Sequence, residues 1–165
     1  MDIALSWDVA RAEGGFVISD GDLVLGSALS SAVLVSLFTD RVAPDTITAL
    51  DGAVGISPAA GASGSRTNDR MGWWGDAWAD VPIGSRLWQM ERTIKAGQAS
   101  VPREVEVICH EALQWLVDDG VAQSIAVSAQ WSTTNRQAVE FRVTVQEPGQ
   151  VAPQTFLFSW AWEGL

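Results

Sequence analysis

The chain is 165 residues long and sets 20 acidic against 10 basic side chains, a formal net charge of −10 at pH 7. That length predicts one domain, residues 1–165, with room for a genuine core, and the acidity argues against nucleic acid or anionic membrane as partners. A lone cysteine, Cys109, excludes an internal disulfide; no apolar run approaches the ~18 residues of a membrane span, and no N-terminal stretch resembles a signal peptide.

Ile3, Leu5, Trp7 and Val9 alternate with other residues, as do Phe16 and Ile18, and Glu13-Gly14-Gly15 stands between the two runs. Side chains alternate across a strand, so this predicts an opening β-hairpin that turns at the glycines. Ser19-Asp20-Gly21-Asp22 makes a second tight turn before Leu23-Val24-Leu25. From about Ala28 to Phe38 the period becomes helical, with Leu29, Val33 and Leu37 on one stripe and apolar neighbours that predict a mostly buried helix. Ser85 is placed to cap a helix reaching Ala96, with Leu87, Met90 and Ile94 inward and Gly97 as its stop. Ser100 and Pro102 open the best helix, whose stripe is Val105, Ile108, Cys109, Ala112 and Leu116 and whose end is marked by Gly120.

Three alternating runs follow. Ile125, Val127, Ala129 and Trp131 share one face of the first; Val139, Phe141, Val143 and Val145 share one face of the second; Phe156, Phe158, Trp160 and Trp162 share one face of the third. Turn residues separate them, so they predict a three-stranded antiparallel meander with a very apolar last strand. The fold class is therefore α+β: an N-terminal β-hairpin, two or three helices, and a C-terminal three-stranded antiparallel meander. A strand so near the terminus either closes its own sheet or is lent to a neighbour's, which makes Phe156, Phe158, Trp160 and Trp162 candidate partner-binding residues.

Between the first two helices the pattern breaks down. Residues 51–65 form a Gly/Ala/Ser-rich loop without a usable period, a length that in a compact domain is usually functional or disordered. Asp69 to Trp78 then crowds three tryptophans, two glycines, two aspartates and Arg70 into one short segment. Either Trp74 and Trp78 enter the core while Trp73 covers the helices, or the segment is a docking loop. In the docking reading Arg70, Trp73, Trp74 and Asp76 are its anchors and rim. Asp118 and Asp119 oppose the dipole at the end of the long helix, at roughly 0.3–1 kcal/mol each when exposed, so a cation from this chain or a partner could meet them.

Catalytic, cofactor and metal residues are not expected. Cys109 and His110 are adjacent on a helix, point to different faces, and read as a buried small side chain beside an exposed imidazole. Glu111 and Asp118 share a helix face about 10 Å apart by helical rise, which any acidic helix supplies, and no nucleophile elbow, P-loop or dinucleotide fingerprint is present.

The whole chain resembles the Mu-like phage and prophage family of small baseplate proteins. The resemblance lies in the hairpin start, Ser36-Leu37-Phe38-Thr39-Asp40-Arg41 at the first helix end, the Asp-Arg-x-Gly-Trp-Trp-Gly-Asp segment at 69–76, and Gly84-Ser85-Arg86-Leu87-Trp88 ahead of the long helix and meander. More distantly it is similar to the sheath-initiating, lysozyme-like wedge protein of contractile tails. That family's Trp-Glu-Pro-Arg-like motif is missing: Trp115-Leu116-Val117-Asp118-Asp119-Gly120 stands there, so no role attached to the motif carries over. The resemblance implies a structural virion protein of the tail baseplate, assembled in the bacterial host cytoplasm. It would join wedge to central hub and tail tube, contact the tail sheath protein and other wedge proteins, and seed the sheath by β-strand exchange, in multiple copies around the tail axis. Two alternatives stand beside it. One is a cell-wall hydrolase using Glu111 and Asp118; the other is a carbohydrate-binding tail module using Trp73, Trp74 and Trp78.

Overall fold

The computed structural model describes residues 2–11, 13–43, 46, 72–78, 80–91 and 97–161. The expected loop at 51–65, the end of the second predicted helix with Ile94, and the candidate residues Arg70 and Trp162 lie outside them. Nine strands and three α-helices follow one another along the described chain. They are β1 (Asp2–Ile3), β2 (Leu5–Asp8), β3 (Glu13–Phe16), β4 (Ile18–Ser19), β5 (Asp22–Leu23), β6 (Leu25–Gly26), α1 (Ala28–Phe38), α2 (Leu87–Glu91), α3 (Ser100–Asp118), β7 (Ser124–Trp131), β8 (Ala138–Gln146) and β9 (Gln154–Ala161). A 3₁₀ turn at Trp74–Trp78 precedes α2.

The strands up to Gly26 form three two-stranded ribbons, β2 with β3, β4 with β5, and β1 with β6. They meet in a closed ring of backbone hydrogen bonds. Ala4 donates to the Val24 carbonyl at 2.7 Å, Val24 to Val17 at 2.9 Å, and Val17 to Ala4 at 3.0 Å. Each extended segment therefore changes partner at its middle residue. The expected hairpin is present but does not turn where the glycines are. Gly14 and Gly15 lie within β3, opposite Trp7 and Ser6, and the chain reverses just after Asp8. There Asp8 Oδ1 accepts from the N–H groups of Ala10 and Arg11 at 2.9 and 3.2 Å, so an aspartate side chain forms the turn that glycine was expected to make. The second turn is as expected: Asp20 and Gly21 both have positive φ (53° and 82°), the Asp-Gly geometry that matches ribbon twist.

α1 is apolar nearly all round and is largely buried. Its small polar residues are satisfied inside: Ser31 donates to the Ile3 carbonyl at 3.2 Å, and Ser36 Oγ accepts the Trp115 indole N–H at 2.9 Å. α3 turns its predicted stripe inward together with Val101, Leu113 and Glu104. Gly120, at φ 71°, ends it in the left-handed conformation that lets the chain turn into β7.

The meander has the strand order β7-β8-β9, antiparallel throughout. Its three predicted faces align into rows across the sheet: Val127–Val143–Phe156, Ala129–Phe141–Phe158 and Trp131–Val139–Trp160. Those rows face α1 and α3 and form the core with them. An aromatic stack ties the three parts together. Phe38 of α1 lies between Trp7 of β2 (ring centroids 3.9 Å apart) and Trp160 of β9 (5.6 Å), both nearly parallel to it. No described helix is long and apolar enough to cross a membrane.

Candidate functional site

The two rims of the meander are not equivalent. Ser132 donates to the carbonyl of Ala138, the residue directly opposite it. In an antiparallel ladder opposed residues alternate between bonded and non-bonded pairs. The backbone groups of Val139, Phe141, Val143 and Val145 therefore point to β9, where Trp160, Phe158, Phe156 and Gln154 answer them. Thr155, Leu157 and Ser159 turn their N–H and C=O groups to the outer side. Thr155 and Leu157 are exposed there, Ser159 is buried, and no further strand pairs with β9 among the described residues. The β7 rim differs, because its Ala129 N–H is taken by Glu106 Oε1 of α3 at 2.9 Å. A side-chain carboxylate thus takes one main-chain donor of the β7 edge, while main-chain donors and acceptors line the β9 edge.

The candidate side chains of β9 face inward. Phe158 is buried against Phe141, Phe38 and Trp7, and Phe156 and Trp160 are half-buried on the same core. What β9 turns outward is its backbone rim, and Leu157, 55 % exposed on the opposite face of the sheet.

The structure places the rings of the tryptophan segment at the surface. Trp73, Trp74 and Trp78 are 42 %, 74 % and 79 % exposed, so Trp74 and Trp78 do not enter the core. Their rings touch in sequence, Trp73 to Trp74 at 5.2 Å and Trp74 to Trp78 at 5.9 Å, tilted by 46° and 79°. They make a ridged apolar knob rather than the flat platform a sugar ring stacks on. The residues between them serve to present it. Gly75 is buried beneath the Trp73 ring, where a Cβ would sit 2.0 Å from ring carbon. Gly72, at φ 110°, passes close to Val42. Asp76 is a staple: its N–H donates to the Trp73 carbonyl and its Oδ1 accepts from Ile83 N–H, both at 3.0 Å.

The segments 36–41 and 84–88 prove to be one structure. Asp40 and Ser85 form a parallel bridge, with Arg41 N–H donating to the Ser85 carbonyl and Ser85 N–H to the Thr39 carbonyl, each at 2.9 Å. Gly84, at φ 97°, lies so close to the Thr39 carbonyl that a Cβ would be 2.3 Å from its oxygen. Ser85 Oγ donates to the Leu37 carbonyl, Trp88 donates its indole N–H to the Arg41 carbonyl at 2.8 Å, and Leu87 enters the core. Arg86 reaches α3 and grips Glu111 Oε2 through Nε and Nη2, both at 3.0 Å, while Arg41 approaches the other oxygen at 3.7 Å.

That arrangement bears on the remaining candidates. Glu111 is held between two guanidinium groups, and Asp118 accepts from Gln114 on its own helix at 3.0 Å. Asp118 and Asp119 are exposed, and neither forms an ion pair among the described residues. Cys109 is fully buried beside exposed His110; burial, reinforced by the charge of Glu106, pushes its thiol pKa well up. No group of His, Cys, Asp and Glu able to hold a metal occurs among the described residues.

The family described as "Phage protein GP46" matches residues 29–152, three quarters of the chain. The chain belongs to the phage protein GP46 family. Relatives of this GP46 chain include the Mu-like prophage FluMu protein gp46 of Haemophilus influenzae, 30% identical over 161 residues, 97% of this chain and 98% of that protein. They also include the baseplate protein gp46 of Escherichia phage Mu, 38% identical over 130 residues, 78% of this chain and 77% of that protein. The resemblance to Mu-like phage baseplate proteins is thus a family membership. The matched GP46 span begins inside α1 and ends just before β9, so it contains the 36–41 and 84–88 bridge and the tryptophan turn.

Two surface features of this GP46 chain have little signature in its sequence. Trp78, absent from the expected anchors Arg70, Trp73, Trp74 and Asp76, is the most exposed of the three rings. Leu157 falls on the polar register of its strand, and that departure from alternation was the available signal.

Proposed function

We propose that the protein is a structural component of a phage tail baseplate, that it sits where wedge meets central hub and tube, and that the outer rim of β9 seeds the contractile sheath. The observation carrying this reading is the asymmetry of the sheet: Glu106 takes the Ala129 N–H on the β7 rim, and the β9 rim is lined by main-chain groups of Thr155 and Leu157. A neighbouring strand added there gains affinity from main-chain hydrogen bonds, and its register is read by side chains alternating across the new pair. Because Phe156, Phe158 and Trp160 face the home core, the join is made by the backbone and Leu157, and the strand stays paired with β8. Membership of a family that includes the phage Mu baseplate protein supports the location. The tryptophan knob is a second contact, toward a wedge or hub protein, because large aromatic rings presented on a stapled turn are typical anchors. The sheath protein, wedge proteins and hub or tube are the partners in this reading, with several copies set around the tail axis. The role is non-enzymatic and belongs to the virion, assembled in the host cytoplasm.

Deleting the strand would be a poor test, since it would remove Phe158 from the core. Leu157→Pro is the better one, because proline is tolerated where the N–H it removes faces outward from an edge. The expected result is a folded protein with nearly unchanged thermal unfolding, in particles whose tubes and baseplates lack sheath by electron microscopy. Full-length contractile tails built with the Leu157→Pro protein would refute the proposal.

A further inference from the structure

The ring of Ala4, Val17 and Val24 organises an apolar surface that neither the β9 rim nor the tryptophan knob uses. Flanking the ring are three directly opposed pairs, Ile3 with Leu25, Leu5 with Phe16, and Ile18 with Leu23. Opposed residues share a face, and so do residues two apart along an extended segment. Applied around the ring, these two rules place all six side chains on one side and Ala4, Val17 and Val24 on the other. Leu5 meets the core. Phe16, Ile18 and Leu25 are 65 %, 68 % and 56 % exposed, and Ile3 and Leu23 are exposed as well. The patch runs on into a groove of about 270 Å³ between the β2–β3 hairpin and α1, lined by Trp7, Phe16, Leu34, Val35 and Phe38 among others. A contiguous apolar surface of this kind marks an interaction site rather than ordinary surface.

Charge identifies what covers it. Residues 2–26 carry Asp2, Asp8, Glu13, Asp20 and Asp22 against Arg11 alone, and Arg11 is paired with Asp8 at 4.0 Å. Glu13, Asp20 and Asp22 are exposed on the same ribbons as the patch. A second copy would bring an identical acidic rim against this one, and like charges across an interface are strongly disfavoured. We infer that the N-terminal ribbons dock an apolar segment of a different protein, one flanked by lysine or arginine. The inference concerns a surface separate from the strand rim and stands or falls independently of sheath seeding.

The test uses the full chain and three short synthetic peptides, one of leucine and lysine, one of leucine and glutamate, one of serine and lysine. Affinity is read by fluorescence anisotropy and location by amide hydrogen exchange. The leucine–lysine peptide is expected to bind at least about tenfold more tightly than either other, with protection within residues 2–26. Ile18→Ser with Leu23→Ser should remove that advantage, and Glu13→Lys with Asp22→Lys should transfer it to the leucine–glutamate peptide. Equal binding of the serine–lysine peptide, protection confined to other parts of the chain, or a self-associated form dissolved by the two serine substitutions would each overturn the inference.

Discussion

Arg86 and Glu111 meet at 3.0 Å and join the segment entering α2 to the middle of α3, with the arginine side chain 5 % exposed and the glutamate 39 %. The contact is unequal: its cation is buried and its anion half in water. Removing the anion takes the Glu111 carboxylate away from a buried guanidinium, whereas removing the Arg86 cation leaves a part-exposed carboxylate still beside Arg41.

Glu111→Gln should therefore destabilise the fold by about 1–3 kcal/mol, a range set by charge-assisted hydrogen bonding and kept modest by the exposure of the glutamate. Chemical denaturation measures it. At permissive temperature the variant should still assemble, because the clamp serves the fold. Loss of a cell-wall-degrading activity in Glu111→Gln without loss of stability would instead restore the hydrolase alternative.

Gly84→Ala should be far more damaging. The added Cβ would meet the Thr39 carbonyl at 2.3 Å, a backbone atom that cannot swing aside, at a residue whose φ of 97° already disfavours a side chain. Steric overlap and backbone strain together predict a loss of about 3 kcal/mol or more, seen as a sharply lowered unfolding temperature or insoluble expression.

Trp74→Ala with Trp78→Ala should leave the unfolding free energy within about 0.5 kcal/mol of the parent, as expected for exposed side chains outside the core. The number of copies incorporated per particle, measured by quantitative mass spectrometry, should fall. Normal incorporation with a lowered unfolding temperature would assign the knob to the fold instead.

Cys109 gives a pH prediction whose sign follows from burial. Its thiol is pushed above its ordinary pKa of 9.0 when folded, so the native state keeps a proton that the unfolded chain releases. The stability it contributes is complete below pH 9 and declines as pH rises beyond it. Cys109→Ala should flatten that alkaline decline in denaturation curves. At neutral pH the native thiol should react with a disulfide reagent only as fast as the protein opens.

The elements that local patterning reveals are those whose partners it also implies. α1 spans Ala28–Phe38 as its helical period predicts, and the three apolar faces of the meander fall into register, because period two leaves only one arrangement that buries all of them. The opening hairpin was legible but its turn was not: a glycine pair reads as a turn, whereas the Asp8 side chain made one four residues earlier. The ring at Ala4, Val17 and Val24 depends on segments changing partner midway, which no single run of alternation encodes. The tryptophan turn was ambiguous because three large rings equally suggest core or contact. The Arg86–Glu111 clamp joins residues 25 apart and leaves no trace in local pattern. In β9 the aromatic side chains drew notice by their size, and the groups facing outward are the backbone, which every sequence has.

The bridge between Asp40 and Ser85 joins two points of the chain far apart in sequence. The two ends of the chain between them are thereby clamped to each other. Lengthening a chain between two clamped ends adds closure entropy only slowly, on the order of 0.6 kcal/mol per doubling. A change in the length of chain between these two residues should therefore cost the helices and the sheet little stability.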